Sequence, residues 1–320
     1  MFKNAIGCLA ASLGLLLSGA SSAAVENYPA QQIKIIVPFS AGSASDTTAR
    51  IIAEQLGARL KVAVVVDNKV GASGIIGSRD VARAKNDGYT FSLVSSSTHS
   101  ATPALFKNLP YDPINDFEHV VRIATIPMML VVNEGRNIKS VAELIAASKK
   151  EPLNYGYGSA SSQIAGASFN LEAKIADNQI AYKSQPQAIT DLLGGHIDYL
   201  LGDLSVVTAM VSGDKLRGLA VTSEQRLKEF PSIPTLDELG YHLNLTVWVG
   251  LAAPKDTPSD VVGLINKEVQ DILKEDAVIE KFKKLGMQVA PNSVQEHAVF
   301  VKQQKDVWTA RVKSAGIEPQ

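Results

Sequence analysis

A run of small and hydroxyl residues, Ser40-Ala41-Gly42-Ser43-Ala44-Ser45-Asp46, follows the apolar strand candidate Ile33–Phe39 and precedes an amphipathic helix candidate. Residues without bulk let a ligand approach the backbone. The helix start behind them presents N–H groups with no intrahelical acceptor at the positive end of the helix dipole. The chemistry this suits is reversible capture of a small anion. Three more segments share the design, each after a strand candidate and before a helix candidate: Ser95-Ser96-Ser97-Thr98-His99-Ser100, Gly158-Ser159-Ala160-Ser161-Ser162, and Lys183-Ser184-Gln185-Pro186-Gln187. In open α/β sheets such loops gather at the carboxyl edge, where ligands bind. A single loop of this kind is more often only a helix cap; several on opposed lobes point to a shared anion site.

The candidate ligand-binding residues are thus Phe39, Ser40, Ala41, Gly42, Ser43 and Asp46 in the first loop, and Ser95, Ser96, Ser97, Thr98 and His99 in the second. The third supplies Gly158, Ser159, Ala160, Ser161 and Ser162, and the fourth Lys183, Ser184, Gln185 and Gln187. Asp203, just past the strand candidate 196–201, completes the set, its alternative role being to cap the next helix. For Asp46 a structural role competes with ligand contact, because a carboxylate repels an anion and Arg50 stands one helical turn away to pair with it. Lys183 could pair with a second carboxylate on the ligand or simply be solvated.

Signatures of catalysis and of cofactors are missing. There is no G-x-S-x-G elbow, no H-E-x-x-H and no carboxylate cluster with metal-ligand spacing, so neither metal nor organic cofactor is expected. Gly156-Tyr157-Gly158-Ser159-Ala160-Ser161 lacks the third glycine of a dinucleotide fingerprint, and Asp177 falls before the next strand instead of at its end. Gly71, Gly74 and Gly77 lack the Lys-Ser/Thr of a P-loop and suit close helix–sheet packing. The five histidines, His99, His119, His196, His242 and His297, stand in unrelated contexts and read as structural or surface residues. Only His99 lies in a site loop.

Composition narrows the class further. Lys3 and the uncharged run from Ala5 to Leu17, ending in Ser22-Ala23-Ala24, read as a cleaved signal peptide over residues 1–24, too short and too rich in Ala, Gly and Ser to span a bilayer. The only cysteine, Cys8, would leave with it, which excludes disulfides and thiolate chemistry. The full chain has 31 basic and 32 acidic side chains; removing Lys3 leaves 30 against 32. So balanced a surface argues against nucleic acid or anionic membrane as partner. A soluble, monomeric, secreted protein is expected.

The elements that must position these loops alternate. Ala49, Ile52, Ala53, Leu56 and Leu60 share one helix face after the first strand; Val62–Val66 reads as a second strand buried on both faces, and Tyr89–Val94 as a third. Further strand candidates are Leu153–Tyr157, Gln179–Tyr182, His196–Leu201, Leu216–Val221 and Leu245–Ala252. Capping boxes at Ser140…Glu143, Ser184…Gln187, Thr235…Glu238 and Ser293…Glu296, and Pro258 in a first turn, mark helix starts, while Gly194, Gly213, Gly240 and Gly286 fall where helices end. The pattern is α/β. Its two least polar strands, Ile123–Val132 and Leu245–Ala252, suit crossings between two lobes. The expected division is residues 25–126 with 247–320 in one lobe and 127–246 in the other.

Six segments, in order, carry a family resemblance: YPAQQIKIIVPFSAGSASDTTARIIAEQL, VVVDNKVGASGIIGSRDVARAKNDGYT, LPYDPINDFEHV, AYKSQPQAITDLLGGHIDY, LRGLAVTSEQR with FPSIPTLDELG, and WVGLAAPKDTP. The chain resembles the Bug-type receptors of tripartite tricarboxylate transporters. The resemblance implies a two-lobed periplasmic binding protein of type II, each lobe a mostly parallel sheet flanked by helices, with two crossing strands as hinge. It also implies closure on a small organic carboxylate, held largely by backbone N–H groups and ordered water from the first loop and the Gly158–Ser162 loop, and delivery to membrane permease subunits. Two departures stand near the site: Ala41-Gly42 where the family usually has paired glycines, and Lys183-Ser184 where it usually has Lys-Gly. Competing readings are a secreted α/β hydrolase using a loop serine, which needs a histidine within reach, and a receptor that feeds a membrane sensor.

Overall fold

The computed structural model describes residues 27–320; the expected signal peptide and Cys8 lie outside them. Strand β1 (Ile33–Val37) leads into helix α1 (Ala44–Leu60), followed by β2 (Val64–Asn68), α2 (Ile75–Ala82) and β3 (Thr90–Ser95). A π-type turn at Ser97–Ala101 runs into the short α3 (Thr102–Leu105). Strand β4 (Phe117–Asn133) then passes to α4 (Val141–Ser148), β5 (Asn154–Tyr157), α5 (Ala160–Ala173), β6 (Asn178–Ala181), α6 (Gln185–Leu193), β7 (Tyr199–Asp203), α7 (Leu204–Ser212) and β8 (Leu216–Val221). The chain closes with β9 (Thr246–Pro254), α8 (Ser259–Ile272), α9 (Asp276–Lys284), β10 (Gln288–Val289) and α10 (Val294–Ser314).

The strands are ordered β2-β1-β3-β9-β4-β7-β5-β6, with β10 and β8 also on β4. Two parallel runs, β2-β1-β3 and β7-β5-β6, are each made by strand–helix–strand units. The strands between them pair antiparallel, so the sheets are more mixed than the mostly parallel ones expected. Strand β4 belongs to both: Phe117–Pro127 pairs with β9, and Met128–Asn133 pairs with β7 and β8. At the switch, Met128 N–H donates to Thr222 Oγ1 (2.9 Å), Thr222 N–H to Met128 O (2.9 Å) and Leu245 N–H to Thr222 O (3.0 Å). The chain rejoins the first sheet one residue later, at Thr246 opposite Pro127.

Local chemistry accounts for the boundaries. Ser43, Ser140, Ser159 and Ser293 each accept the N–H of the residue three positions on, and at Ser159 and Ser293 the bond is reciprocated. Thr235 and Glu238 also bond reciprocally, but they head only a single 3-10 turn, Asp237–Leu239. Ser184 caps α6 by position alone, since its hydroxyl makes no bond. Gly77 lets α2 sit against the first strand: a Cβ there would lie 3.0 Å from Pro38 Cα and Lys69 O.

Three sequence readings need correction. The second strand is Val64–Asn68 instead of Val62–Val66, and it is half-buried throughout because it forms the sheet edge beside β1. The seventh begins at Tyr199 and ends on Asp203, because the exit of α6 holds His196 N–H on Asp191 O and delays pairing. The histidines, finally, are not unrelated. His99, His119 and His297 meet ring to ring inside the first lobe, at centroid separations of 5.8 and 5.7 Å, with Phe117, Tyr111 and Trp248 around them. Sequence distance hid a cluster that β4 and α10 assemble.

Burial lowers all three imidazoles, His119 to about 4; neighbouring histidines add to this for His99 and His297, and Arg122 for His297. A native pKa below the unfolded value means that the unfolded chain takes up protons first as pH falls. Stability is therefore full above about pH 6.5 and is lost below it, by up to about 1.4 kcal/mol per pH unit for each histidine. The urea midpoint should fall steeply from pH 7 to pH 5, and His297→Gln should flatten the decline. An unchanged midpoint across that interval would contradict the neutral cluster.

Candidate functional site

The first loop is held from beneath by Asp46. Its carboxylate accepts from Gly42 N–H (2.9 Å), Arg50 Nε (3.0 Å) and Asn68 Nδ2 (2.9 Å), while Asn68 also donates to Phe39 O (2.9 Å). Burial alone would raise this carboxyl; Arg50, Gly42 and Asn68 together hold it below its ordinary value. Gly42 has φ +78°, the left-handed turn that aims its N–H back at Asp46. The Gly42 N–H is thereby committed within the loop, and the first-turn N–H groups of α1 left without an acceptor among the described residues are those of Ala44 and Ser45, which line the cavity.

A second helix start opposes it. Ser159 and Ser162 form the capping box of α5, and Ser162 Oγ also accepts from Gly158 N–H (3.2 Å). Gly158 is required by contact, because a Cβ there would lie 2.2 Å from Gln185 N and Ser184 C. Its absence lets the loop after β5 rest on the loop after β6. Gln185 in turn reaches across to β7, where its Oε1 accepts the Asp203 N–H (2.8 Å). The loop after β3 closes the ring: Ser96 Oγ accepts from Trp248 N–H (2.7 Å), and Ser97 Oγ accepts from Ala160 N–H (2.9 Å) at the head of α5. That last bond joins the loop of one sheet directly to a helix of the other.

Together these loops wall a small cavity of about 30 Å³. Of the sequence candidates, Phe39, Ser43, Ser95, Ser96, Ser97, Gly158, Ser159, Ser161, Ser184, Gln185 and Asp203 line it. The others do not. Ser40, Ala41, Gly42 and Asp46 build the loop behind; Ala160 and Ser162 complete the α5 cap; Thr98 and His99 turn into the core, where Thr98 Oγ1 meets His99 Nδ1 at 2.9 Å. Lys183 and Gln187 are exposed beyond the rim, with Lys183 N–H donating to Gln187 Oε1. Asp203 holds the N-cap position of α7, yet its side chain makes no capping bond, so the capping role is overturned.

Sequence reasoning missed Ala44, Ser45, Ile126, Val247, Trp248 and Val249. Ala44 and Ser45 stand in the quoted loop and could have been found by counting first-turn N–H groups. The others lie on β4 and β9, which form the floor where the two strands cross, and only the long-range pairing reveals that. Among the residues lining the cavity, Asp203 carries the only charged side chain. No group of three His, Cys, Asp or Glu among the described residues could hold a metal ion.

Two mixed sheets sharing a strand, with helix starts and hydroxyls from both around one small cavity, define a solute-binding receptor of the two-lobed kind. Residues 48–317 match the model of the tripartite tricarboxylate transporter family receptor, and the chain belongs to that family. It is 32% identical to Protein BugT of Bordetella pertussis, over 96% of this chain and 97% of that one. The solved periplasmic binding protein BugD superposes with a TM-score of 0.88 at 33% identity, covering 92% of this chain and all of BugD. The R. palustris protein Rpa4515, solved with adipate, gives 0.89 at 28% identity, over 92% of this chain and 100% of that one.

Gly158→Ala should separate the two loops it joins. Denaturant unfolding is expected to show a loss of about 2 kcal/mol or more, since the displaced atoms are backbone. Gly213→Ala, facing only Ala209 O at 3.2 Å and without a positive φ, should change stability by less than about 1 kcal/mol. Equal effects would mean that the close approach at Gly158 does not support the site.

Proposed function

We propose that this chain is a periplasmic receptor that takes a small organic carboxylate into the cavity between its lobes, closes on it, and passes it to the membrane permease subunits of a tripartite transporter. One observation carries the reading: α1 and α5 begin at the same cavity from opposite sheets, with serine hydroxyls between them and no cationic side chain among the lining residues. Outward N–H groups at Ala44, Ser45 and Ser161 would hold the carboxylate, each helix start contributing about 0.3–1 kcal/mol beyond its hydrogen bonds. The family and the adipate bound by Rpa4515 support the ligand class. Residues 25–126 with 247–320, and residues 127–246, are the two bodies that would close, bending where β4 changes sheets and where Thr222 meets Leu245.

No organic cofactor or metal has a role in this scheme, and a monomer suffices for it. The hydrolase reading has little to stand on. His99, the histidine nearest the loop serines in sequence, is packed against Phe117 and His119, and its Nδ1 faces Thr98 rather than a serine of the cavity. Delivery to a sensor in place of a permease would use the same cavity.

Titration calorimetry with linear monoacids and diacids of two to six carbons, each beside its amide, tests the proposal. The acids that bind should lose at least tenfold on conversion to the amide, about 1.4 kcal/mol. Amides that bind as tightly as the acids would contradict a site built for an anion. Chelator treatment should leave affinity unchanged.

A further inference from the structure

Asp203 is the one group at the site whose charge is not answered. Among the described residues, the three fully buried acidic side chains all have partners. Asp46 has Gly42, Arg50 and Asn68; Asp177 accepts from Ser148, Leu153 N–H and Tyr199; Asp198 accepts from Asn154 N–H and pairs with Arg136. Asp203 Oδ1 is shielded from solvent and has no hydrogen-bond partner among the described residues. Its neighbour Gln185 turns its oxygen to the Asp203 N–H and leaves its own Nε2 without a partner. The side chain stands at the N-cap of α7 without capping it, and it faces a cavity whose other lining residues are all neutral.

Asp203 as a whole is half-buried, but its shielded Oδ1 lacks a donor, and a shielded carboxylate oxygen is unfavourable unless something supplies one. A ligand in the cavity can supply it, and the wall itself offers no group of opposite charge. A plain carboxylate would bring a second negative charge into the same small space. A ligand that also carries a positive nitrogen turns that repulsion into an ion pair, while its acid group sits on the helix starts. We infer that Asp203 is an ammonium subsite and that the ligand is an amino-carboxylate, a zwitterion and not a simple acid. The inference rests on the carboxylate reading given above and adds the second end of the molecule. Burial raises the Asp203 carboxyl to about 6, below the pH of 7.5 used in the test that follows.

The test compares acids that differ only by an amino group: propionate with L-alanine, 3-methylbutanoate with L-valine, and butanoate with 4-aminobutanoate. Each is titrated calorimetrically at pH 7.5 into the wild-type protein and into Asp203→Asn, with Asp203→Ser as a second variant. In at least one pair the amino member should bind the wild type ten or more times tighter. Both variants should erase that margin, the amino member weakening at least tenfold while the simple acid binds no more weakly than to wild type, because the like charge is gone. Wild-type protein that binds the simple acids, but no amino acid more tightly than its partner, overturns the subsite and leaves the carboxylate reading standing. A margin that survives both substitutions also overturns it. The margin should also shrink from pH 7.5 to pH 5 in wild type, as Asp203 takes up a proton and stops repelling the simple acid; a margin unchanged by pH overturns the subsite as well. If neither member of any pair binds while a diacid does, the subsite is overturned and the carboxylate reading stands; if no acid of either series binds, both fail.

Discussion

Everything at the cavity depends on β4 serving two sheets. From Phe117 to Pro127 it is bonded to β9, and from Met128 onward to β7 and β8. Because one strand is common to both, the carboxyl ends of the parallel runs on either side face a common space. Each run ends in loops that begin helices, so helix starts meet without any long-range steering by charge. The change of partner occurs within one residue, at Met128, and is bonded there to Thr222, whose own partner is Leu245. This small node, fully buried, joins the two connections through which the chain passes between sheets.

The site shows how a protein can prepare to hold an anion without a basic residue. Arg50 lies close in sequence to the first loop, but it is spent on Asp46, which in turn fixes Gly42 and Asn68. The positive charge therefore shapes the loop and does not line the cavity. What remains are backbone dipoles and hydroxyls, which are neutral when the cavity is empty and need no counter-charge then. Asp203 breaks that economy. It places one negative charge where the rest of the wall is neutral, which makes selectivity a question of what the other end of the ligand carries.

The alternation of strands, small-residue loops and helices was legible in the sequence, as was the two-lobed α/β class, because each unit is local: Ser159 and Ser162 make their box within four residues, and Ser293 and Glu296 do the same. What could not be read was set by distant pairing. The half-burial of β2 follows from its place at the edge, and the floor of the cavity follows from β9 lying against β4. His99 sits in a loop that reads as polar and accessible, yet the π-type turn at Ser97–Ala101 carries it inward to His119. Lys183 shows the reverse case: it is adjacent in sequence to Ser184 and Gln185, which line the cavity, while its own side chain points to solvent.

The central claim is that main-chain N–H groups at two opposed helix starts receive the carboxylate. Amide proton–nitrogen spectra of the labelled protein test it most directly, recorded during titration with the tightest-binding acid and with its amide. The account predicts that the signals of Ala44, Ser45 and Ser161 shift strongly with the acid and far less with the amide. It would be contradicted if those three stayed in place at saturation while the largest shifts fell at Lys183 and Gln187.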